Sequence, residues 1–205
     1  MLEEQMNKFP GRERLVEGLD HAVGLADSEA ITGAVQGLLV ELIKSRSLDL
    51  PQHLKQQAEG RYARNLVYKS PEHGYTVVAM VWGPGQGTAL HDHSGTWCVE
   101  GVVEGEITVT QYELLDHEGD RWKFRPQGTI CSLVGSAGSL IPPFEYHTIA
   151  NARQDGEASV TLHVYGRELD HCGLYEPTEE EPTETGWYAF HERALAYDNR
   201  SHQEH

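Results

Sequence analysis

From about residue 62 onward the chain is a succession of short β-type runs broken by glycine turns, and this texture limits the fold more than any other feature. "YARNLVY", "YTVVAMVWG", "WCVEGVVEGEITVTQYEL", "WKFRPQG", "TICSLV", "SLIPPFEYHTIANA" and "EASVTLHVYG" follow one another with no helical stretch between them. Strands at that spacing without intervening helices build an antiparallel barrel or a double-sheet jelly roll. The 21 glycines and 9 prolines are spread along the chain, as a turn-rich β fold requires.

The segment before it has the other periodicity. In "ITGAVQGLLVELIK" the apolar positions Ile31, Val35, Leu38, Leu39, Leu42 and Ile43 recur at three- and four-residue spacing, one face of an α-helix. Pro51 in "SLDLPQHLKQQ" opens a short further helix. The expected organisation is mainly β: a helical segment over 1–58 packed on a β domain over 59–195, and a flexible tail over 196–205. No internal repeat and no second domain is visible. The acidic, proline-bearing "EPTEEEPTET" reads as a loop reaching into solvent, and the histidines of "NRSHQEH" read as incidental.

Charge and cysteine usage exclude several functions. A formal charge of −16 with 16 scattered basic residues gives no Lys/Arg stripe for phosphate, so nucleic acid is not an expected partner. No run approaches the roughly 18 apolar residues of a membrane span. "MLEEQMNKFPGRER" lacks the apolar core of a secretory signal. Three cysteines, Cys98, Cys131 and Cys172, cannot all pair, which fits a reducing cytoplasm. A monomer is the expected state. Cys131 in "GTICSLVG" reads as a buried small hydrophobe.

The chemistry concentrates in "HDHSGTWCVEGVVEG". His91 and His93 are two apart, and on a strand such residues project to one face, so both imidazoles can reach one point. Imidazole suits Fe, Zn, Cu and Ni alike, so the pair by itself does not choose a metal. The flanking glycines, Gly85 and Gly105, stand at spacings that resemble the first cupin motif, with Cys98 where that motif has a glutamate ligand. "PPFEYHTIAN" resembles the second cupin motif through His147 and Asn151, with Phe144 in place of its glycine. Three neutral histidines and no carboxylate would hold Fe(II) with open positions for a thiolate and dioxygen. A three-histidine zinc site that activates water is the alternative.

"SVTLHVYG" puts Thr161, His163 and Tyr165 on one strand face and Val160, Leu162 and Val164 on the other. The polar face is either a solvent side or a hydrogen-bonded relay lining a pocket. Together with an arginine in "YARNLV", then "WGPG", "HDH", Cys98 and "YHTIAN", the T-x-H-x-Y order resembles the cysteine dioxygenase family of thiol dioxygenases over roughly residues 58–175.

The resemblance implies a cupin barrel with helices at one end, and an Fe(II) enzyme that converts a thiol plus O2 into a sulfinate. It implies His91, His93 and His147 as iron ligands, Arg64 as the grip on a substrate carboxylate, and Tyr62 as a pocket-lining residue. Thr161 stands where the family relay has serine; His163 and Tyr165 match. Cys98 and Tyr165 match the pair that forms a thioether in the animal enzymes, and Cys172 matches a cysteine near the pocket mouth. Arg64 points to L-cysteine, because relatives preferring 3-mercaptopropionate carry glutamine there; mercaptosuccinate is a further candidate. Two rival readings remain: a metal-binding cupin without turnover, and a zinc or nickel cupin hydrolase or isomerase. His21, His53, His73, His117, His171 and His191 have no matching partner in the pattern.

Overall fold

The computed structural model describes residues 8–178 and 185–199. It begins with α1 (Arg12–Val23) and α2 (Ser28–Lys44), followed by a 3-10 turn over Gln52–Lys55. Within the expected helical segment over 1–58 the described residues thus hold two helices and one short turn. The Asp27 carboxylate caps α2 by accepting from the Ala30 N–H at 2.9 Å, which satisfies one of the orphan donors of a helix start. The predicted stripe is the buried one: Val35, Leu39, Leu42 and Ile43 on α2 pack with Leu15 and Leu19 of α1.

The strands are β1 (Ala63–Lys69), β2 (Thr76–Trp82), β3 (Leu90–His91), β4 (Cys98–Glu104), β5 (Glu106–Glu118), β6 (Arg121–Leu133), β7 (Ala137–Leu140), β8 (His147–Asn151), β9 (Ser159–Tyr165), β10 (His171–Pro177) and β11 (Gly186–Ala194). They form a five-stranded sheet in the order β1-β2-β9-β4-β7 and a closed sheet in the order β10-β11-β6-β5-β8-β3, every pair antiparallel. This is the jelly-roll cupin architecture, with its helices packed on one sheet.

The five-stranded sheet is covered on both faces. Its outer side buries Val77, Ala79, Val81, Val99, Val160, Leu162 and Val164 against the helices. Its inner side contributes Val78, Met80, Trp82, Cys98, Val102 and Tyr165 to a core shared with Ile107, Val109 and Ile149 of the other sheet. Fully burying a Val or Leu side chain is worth roughly 1.5–3 kcal/mol, so the helical layer is what holds this sheet flat against the barrel. Gly101 on β4 makes that contact close: a Cβ there would lie 3.1 Å from Ile43 Cδ1. Gly105 turns β4 into β5 at φ 77°, where a Cβ would also fall 2.4 Å from Ser159 Oγ, so only glycine serves. A third cluster, Leu90, Phe124, Tyr175 and Tyr188, fills the end of the closed sheet.

Several expectations need correction. "WKFRPQG" and "TICSLV" belong to one long strand, β6, which pairs with β5 through two register shifts. The first residues of the expected acidic loop, Glu176 and Pro177, belong to β10, and 179–184 lie outside the described residues. Cys131 is exposed, not buried, because it stands in an exposed run of β6, over 125–131, that nothing covers.

The expected tail over 196–205 starts too early. The Asp198 N–H donates to the Arg64 carbonyl at 2.7 Å and its carboxylate accepts from the Arg64 N–H at 2.8 Å. The Asn199 side chain likewise grips Leu66, accepting at 2.8 Å and donating at 2.9 Å. Residues 200–205, with the tail histidines, lie outside the described residues. Among the described residues no helix is long and apolar enough to cross a membrane.

Candidate metal centre and adjoining pocket

His91, His93 and His147 come together, with one donor atom from each lying within 4.8 Å of the others. The strand argument accounts for only part of this. His91 ends the two-residue strand β3, whereas His93 lies in the turn beyond it, past which Ser94 and Gly95 have φ of 52° and 76°. His93 is held by its backbone N–H, which donates to the Glu145 carboxylate at 2.9 Å. His147 arrives from β8, paired across from His91.

His91 and His147 meet nitrogen to nitrogen. His91 Nδ1 lies 3.1 Å from the Ala89 carbonyl. A carbonyl only accepts, so Nδ1 carries the proton and Nε2 presents a bare lone pair. That lone pair meets His147 Nε2 at 3.0 Å, a contact a shared cation would satisfy at both ends. Burial pushes the His91 pKa down to about 4 and holds His93 and His147 well below the ordinary range, so all three are neutral, the form that ligates. Three neutral nitrogens without a carboxylate fit a divalent transition ion such as Fe(II). Among the described residues Cys98 is not part of this donor group.

The relay face points inward, away from solvent. Thr161, His163 and Tyr165 are all buried, so the solvent-side reading of "SVTLHVYG" is wrong: the helices cover the other face of β9. The Trp82 indole N–H donates to Thr161 Oγ1 at 2.8 Å, and Thr161 Oγ1 lies 2.8 Å from His163 Nε2. His163 Nδ1 lies 3.4 Å from the Tyr165 hydroxyl, and the Tyr165 ring centroid is 5.8 Å from that of His93. Burial pushes His163 down to about 3 and raises Tyr165 well above its usual range. The relay is therefore neutral throughout.

Cys98 stands directly across from Tyr165 in the β4–β9 register, with its sulfur 3.9 Å from His163 Nδ1. It is a free thiol, and burial, then the nearby Glu100, raise its pKa well above normal, against an opposing bond from Tyr165.

Arg64, Tyr62, His91, His163, Tyr165 and Cys172 line one narrow pocket of about 20 Å³, floored by Trp82 and Met80. The Tyr62 ring leans on Trp82 at 4.8 Å. The Arg64 guanidinium is buried, donating to the carbonyls of Leu169 at 3.2 Å and Ala196 at 3.4 Å, over the Tyr197 ring at 5.3 Å. Among the described residues no carboxylate pairs with it; the Asp198 carboxylate is taken up by the backbone N–H of Arg64 and by Arg61.

Two buried carboxylates were not assigned from the sequence. Glu145 bonds the His93 backbone and lies 3.7 Å from His93 Nδ1, and burial raises its pKa to about 7. Glu100 faces His163 across the β4–β9 register, 3.6 Å from Nδ1, and burial raises it to about 8. A signal existed for Glu100, which is two residues from Cys98 on β4 and so shares its strand face; Glu145 lies in the loop before β8, where no such rule applies.

Residues 32–178 match the family described as Cysteine dioxygenase type I. Among curated proteins the chain is similar to Cysteine dioxygenase type 1 of Rattus norvegicus, 24% identical over 120 residues, covering 57% of this chain and 56% of that protein. The Homo sapiens protein of the same name is 23% identical with the same coverage. The chain thus spans little more than half the length of the curated relatives it matches. Among solved structures it is similar to TT1209 from Thermus thermophilus, with a TM-score of 0.44 and 19% identity over 58% of this chain and 94% of that one. The Schizosaccharomyces pombe Cnp3 cupin domain gives 0.39 and 13%, over 60% and 72%.

Proposed function

From the premise that this chain belongs to the cysteine dioxygenase type I family, we propose that it is an Fe(II) thiol dioxygenase that adds both atoms of O2 to the sulfur of L-cysteine. The observation that carries this reading is Arg64: a buried cation without a carboxylate partner among the described residues, in the same narrow pocket as His91 and Tyr165. A buried unpaired charge is costly, and a substrate carboxylate is the group that completes it. The thiol end of so short a substrate then reaches the histidines.

His91, His93 and His147 would hold Fe(II), which would supply the Lewis-acid and redox chemistry that a thiolate and dioxygen require. The chain's own residues do the rest. Arg64 binds the carboxylate by charge-assisted bonds and fixes the position of the sulfur. Tyr62 and Trp82 wall the pocket and exclude water. Tyr165 presents its hydroxyl to the pocket, while Thr161 and His163 fix its orientation. All four electrons come from the sulfur, so no external reductant is needed. Among the described residues Arg64 is the one permanent cation lining the pocket, which ranks mercaptosuccinate with its second carboxylate below L-cysteine and 3-mercaptopropionate.

We further propose that Cys98 and Tyr165 become joined by a thioether, since register already sets them face to face. The new C–S bond forms with loss of two protons and two electrons, the electrons passing to O2. The cross-linked chain is lighter by two hydrogen atoms in an intact-mass spectrum, and a Cys98→Ser chain shows no such loss.

The reading is tested by oxygen uptake and sulfinate analysis on anaerobically iron-loaded protein offered L-cysteine, 3-mercaptopropionate and mercaptosuccinate in turn. One O2 consumed per cysteine sulfinate formed supports it. Bound iron with no uptake on any of the three overturns it in favour of a non-catalytic metal cupin, and zinc in protein purified without added metal favours a hydrolase or isomerase.

A further inference from the structure

A second cavity lies on the far side of the relay. It measures about 310 Å³ and is walled by Val102, Ile107, Val109 and Leu140, with Gln111, Ser132 and Ser139 supplying polar edges. Glu100 both lines this cavity and faces the relay. Its side chain is 6% exposed, and its Oε2, the oxygen 3.6 Å from His163 Nδ1, has no hydrogen-bond partner. A buried carboxyl oxygen left unpaired costs about 1–3 kcal/mol, so an apolar residue would stabilise this position better. The other inward side chains of β4, Cys98 and Val102, are apolar, and a carboxyl between them asks for a role.

The substrate pocket, by contrast, is nearly filled: about 20 Å³ is room for about one water. Under the proposed reaction, RSH + O2 → RSO2⁻ + H⁺, each turnover leaves one proton inside. A bound substrate blocks its way back through the pocket mouth.

We propose that Glu100 is the proton exit of this site, taking the proton from His163 and passing it to water in the second cavity; this inference rests on the thiol dioxygenase reading above. The thiol proton moves to the Tyr165 oxygen as that hydroxyl gives its own proton to His163 Nδ1, 3.4 Å away. Nδ1 then hands it to Glu100 Oε2, and the carboxyl releases it to cavity water, which restores neutral Tyr165 and His163. The gap of 3.6 Å is longer than a hydrogen bond and closes with a small rotation of either side chain.

The groups facing Glu100 are His163 and Tyr165 on β9, Cys98 on its own strand, and Gln111 and Cys131 across the cavity; its partner on β7, Gly138, carries no side chain. A buried carboxyl raised to about 8 both accepts and releases a proton near neutral pH.

Two variants test this on the iron-loaded protein. Glu100→Gln keeps shape and bonding but cannot carry a proton. Gly138→Val plugs the cavity above Glu100, where an added Cβ meets nothing within 4 Å. With L-cysteine, both are expected to lower kcat at least tenfold, with KM and iron content within twofold of the parent. A kcat within twofold of the parent in Glu100→Gln overturns the proposal. Infrared spectroscopy supplies a readout that needs no turnover. The protonated carboxyl band that Glu100→Gln deletes should exchange rapidly in D2O in the parent and at least tenfold more slowly in Gly138→Val. Equal exchange in both overturns the exit route. Plug-sensitive exchange in a protein that forms no sulfinate would keep the route to solvent while refuting the dioxygenase reading.

Discussion

Replacing Arg64 by glutamine is the perturbation that isolates substrate recognition from chemistry. The guanidinium touches no metal-centre histidine and no relay member by hydrogen bond; it holds the carbonyls of Leu169 and Ala196 and faces the pocket with its remaining donors. Glutamine keeps an amide donor for one carbonyl but loses the charge and the fork. Bonds to charged groups contribute about 1.5–3 kcal/mol each in buried settings. Two are made to a carboxylate, and an amide recovers part of one, so the net loss is about 2–4 kcal/mol. At about 1.36 kcal/mol per tenfold, kcat/KM for L-cysteine should fall roughly 30- to 900-fold. Cysteamine, the same thiol without the carboxylate, provides the control: its kcat/KM should stay within about threefold, because the bond lost was never made. Sulfinate formation from both thiols, with iron content and thermal unfolding checked alongside, reads the outcome. An equal fall for the two thiols would show that Arg64 supports the pocket rather than the carboxylate, and the substrate argument would be refuted.

Three further expectations follow from the geometry. His147→Ala removes a nitrogen that lies 3.0 Å from His91 Nε2, so metal analysis after dialysis should show iron largely lost; full occupancy would remove His147 from the ligand set. Tyr165→Phe should lower kcat about tenfold or more while iron stays bound, and unchanged turnover would take the hydroxyl out of the mechanism. Asp198 offers a pH test. Burial acts to raise its pKa, but the bonds from Arg61 and the Arg64 N–H outweigh it and hold the carboxyl below its ordinary value. Its stabilisation is therefore complete above the ordinary carboxylate range and disappears as pH falls through the lower folded value. Urea midpoints measured downward from about pH 5 should converge for the parent and Asp198→Asn only in strong acid; a constant difference would deny the linkage.

The fold class and the three histidines are legible because both rest on local spacing. The valine-rich apolar run of β2 and the two-residue alternation of β9 mark strands whatever surrounds them, and H-x-H survives even though His93 sits in a turn. What spacing does not reveal is which layers stack. "SVTLHVYG" looks the same whether its Thr-His-Tyr face meets water or a barrel, and only α1 and α2, far earlier in the chain, decide by covering the valine side. Cys131 misleads for the same reason reversed: its neighbours are apolar, yet nothing packs over that part of the β5–β6 hairpin, where Ile130 and Leu133 are also exposed. β10 and β11 escape a reading by pattern because glycine, histidine and glutamate interrupt their alternation. Glu100 shares a strand face with Cys98, but in a chain this acidic spacing alone does not tell a buried acid from a surface one, and for Glu100 and Glu145 tertiary packing decides.

The bonds from Asp198 and Asn199 to Arg64 and Leu66 fall on β1, the outermost strand of its sheet. They consume, at alternate residues, the N–H and C=O groups that the strand would otherwise present sideways to solvent. A bare margin of this kind is a template on which another chain's backbone can lay itself down. The short segment over 195–199, whose Leu195 lines the pocket beside Arg64, thus also keeps one molecule from zipping onto the next, and clipping it off would be felt first as self-association.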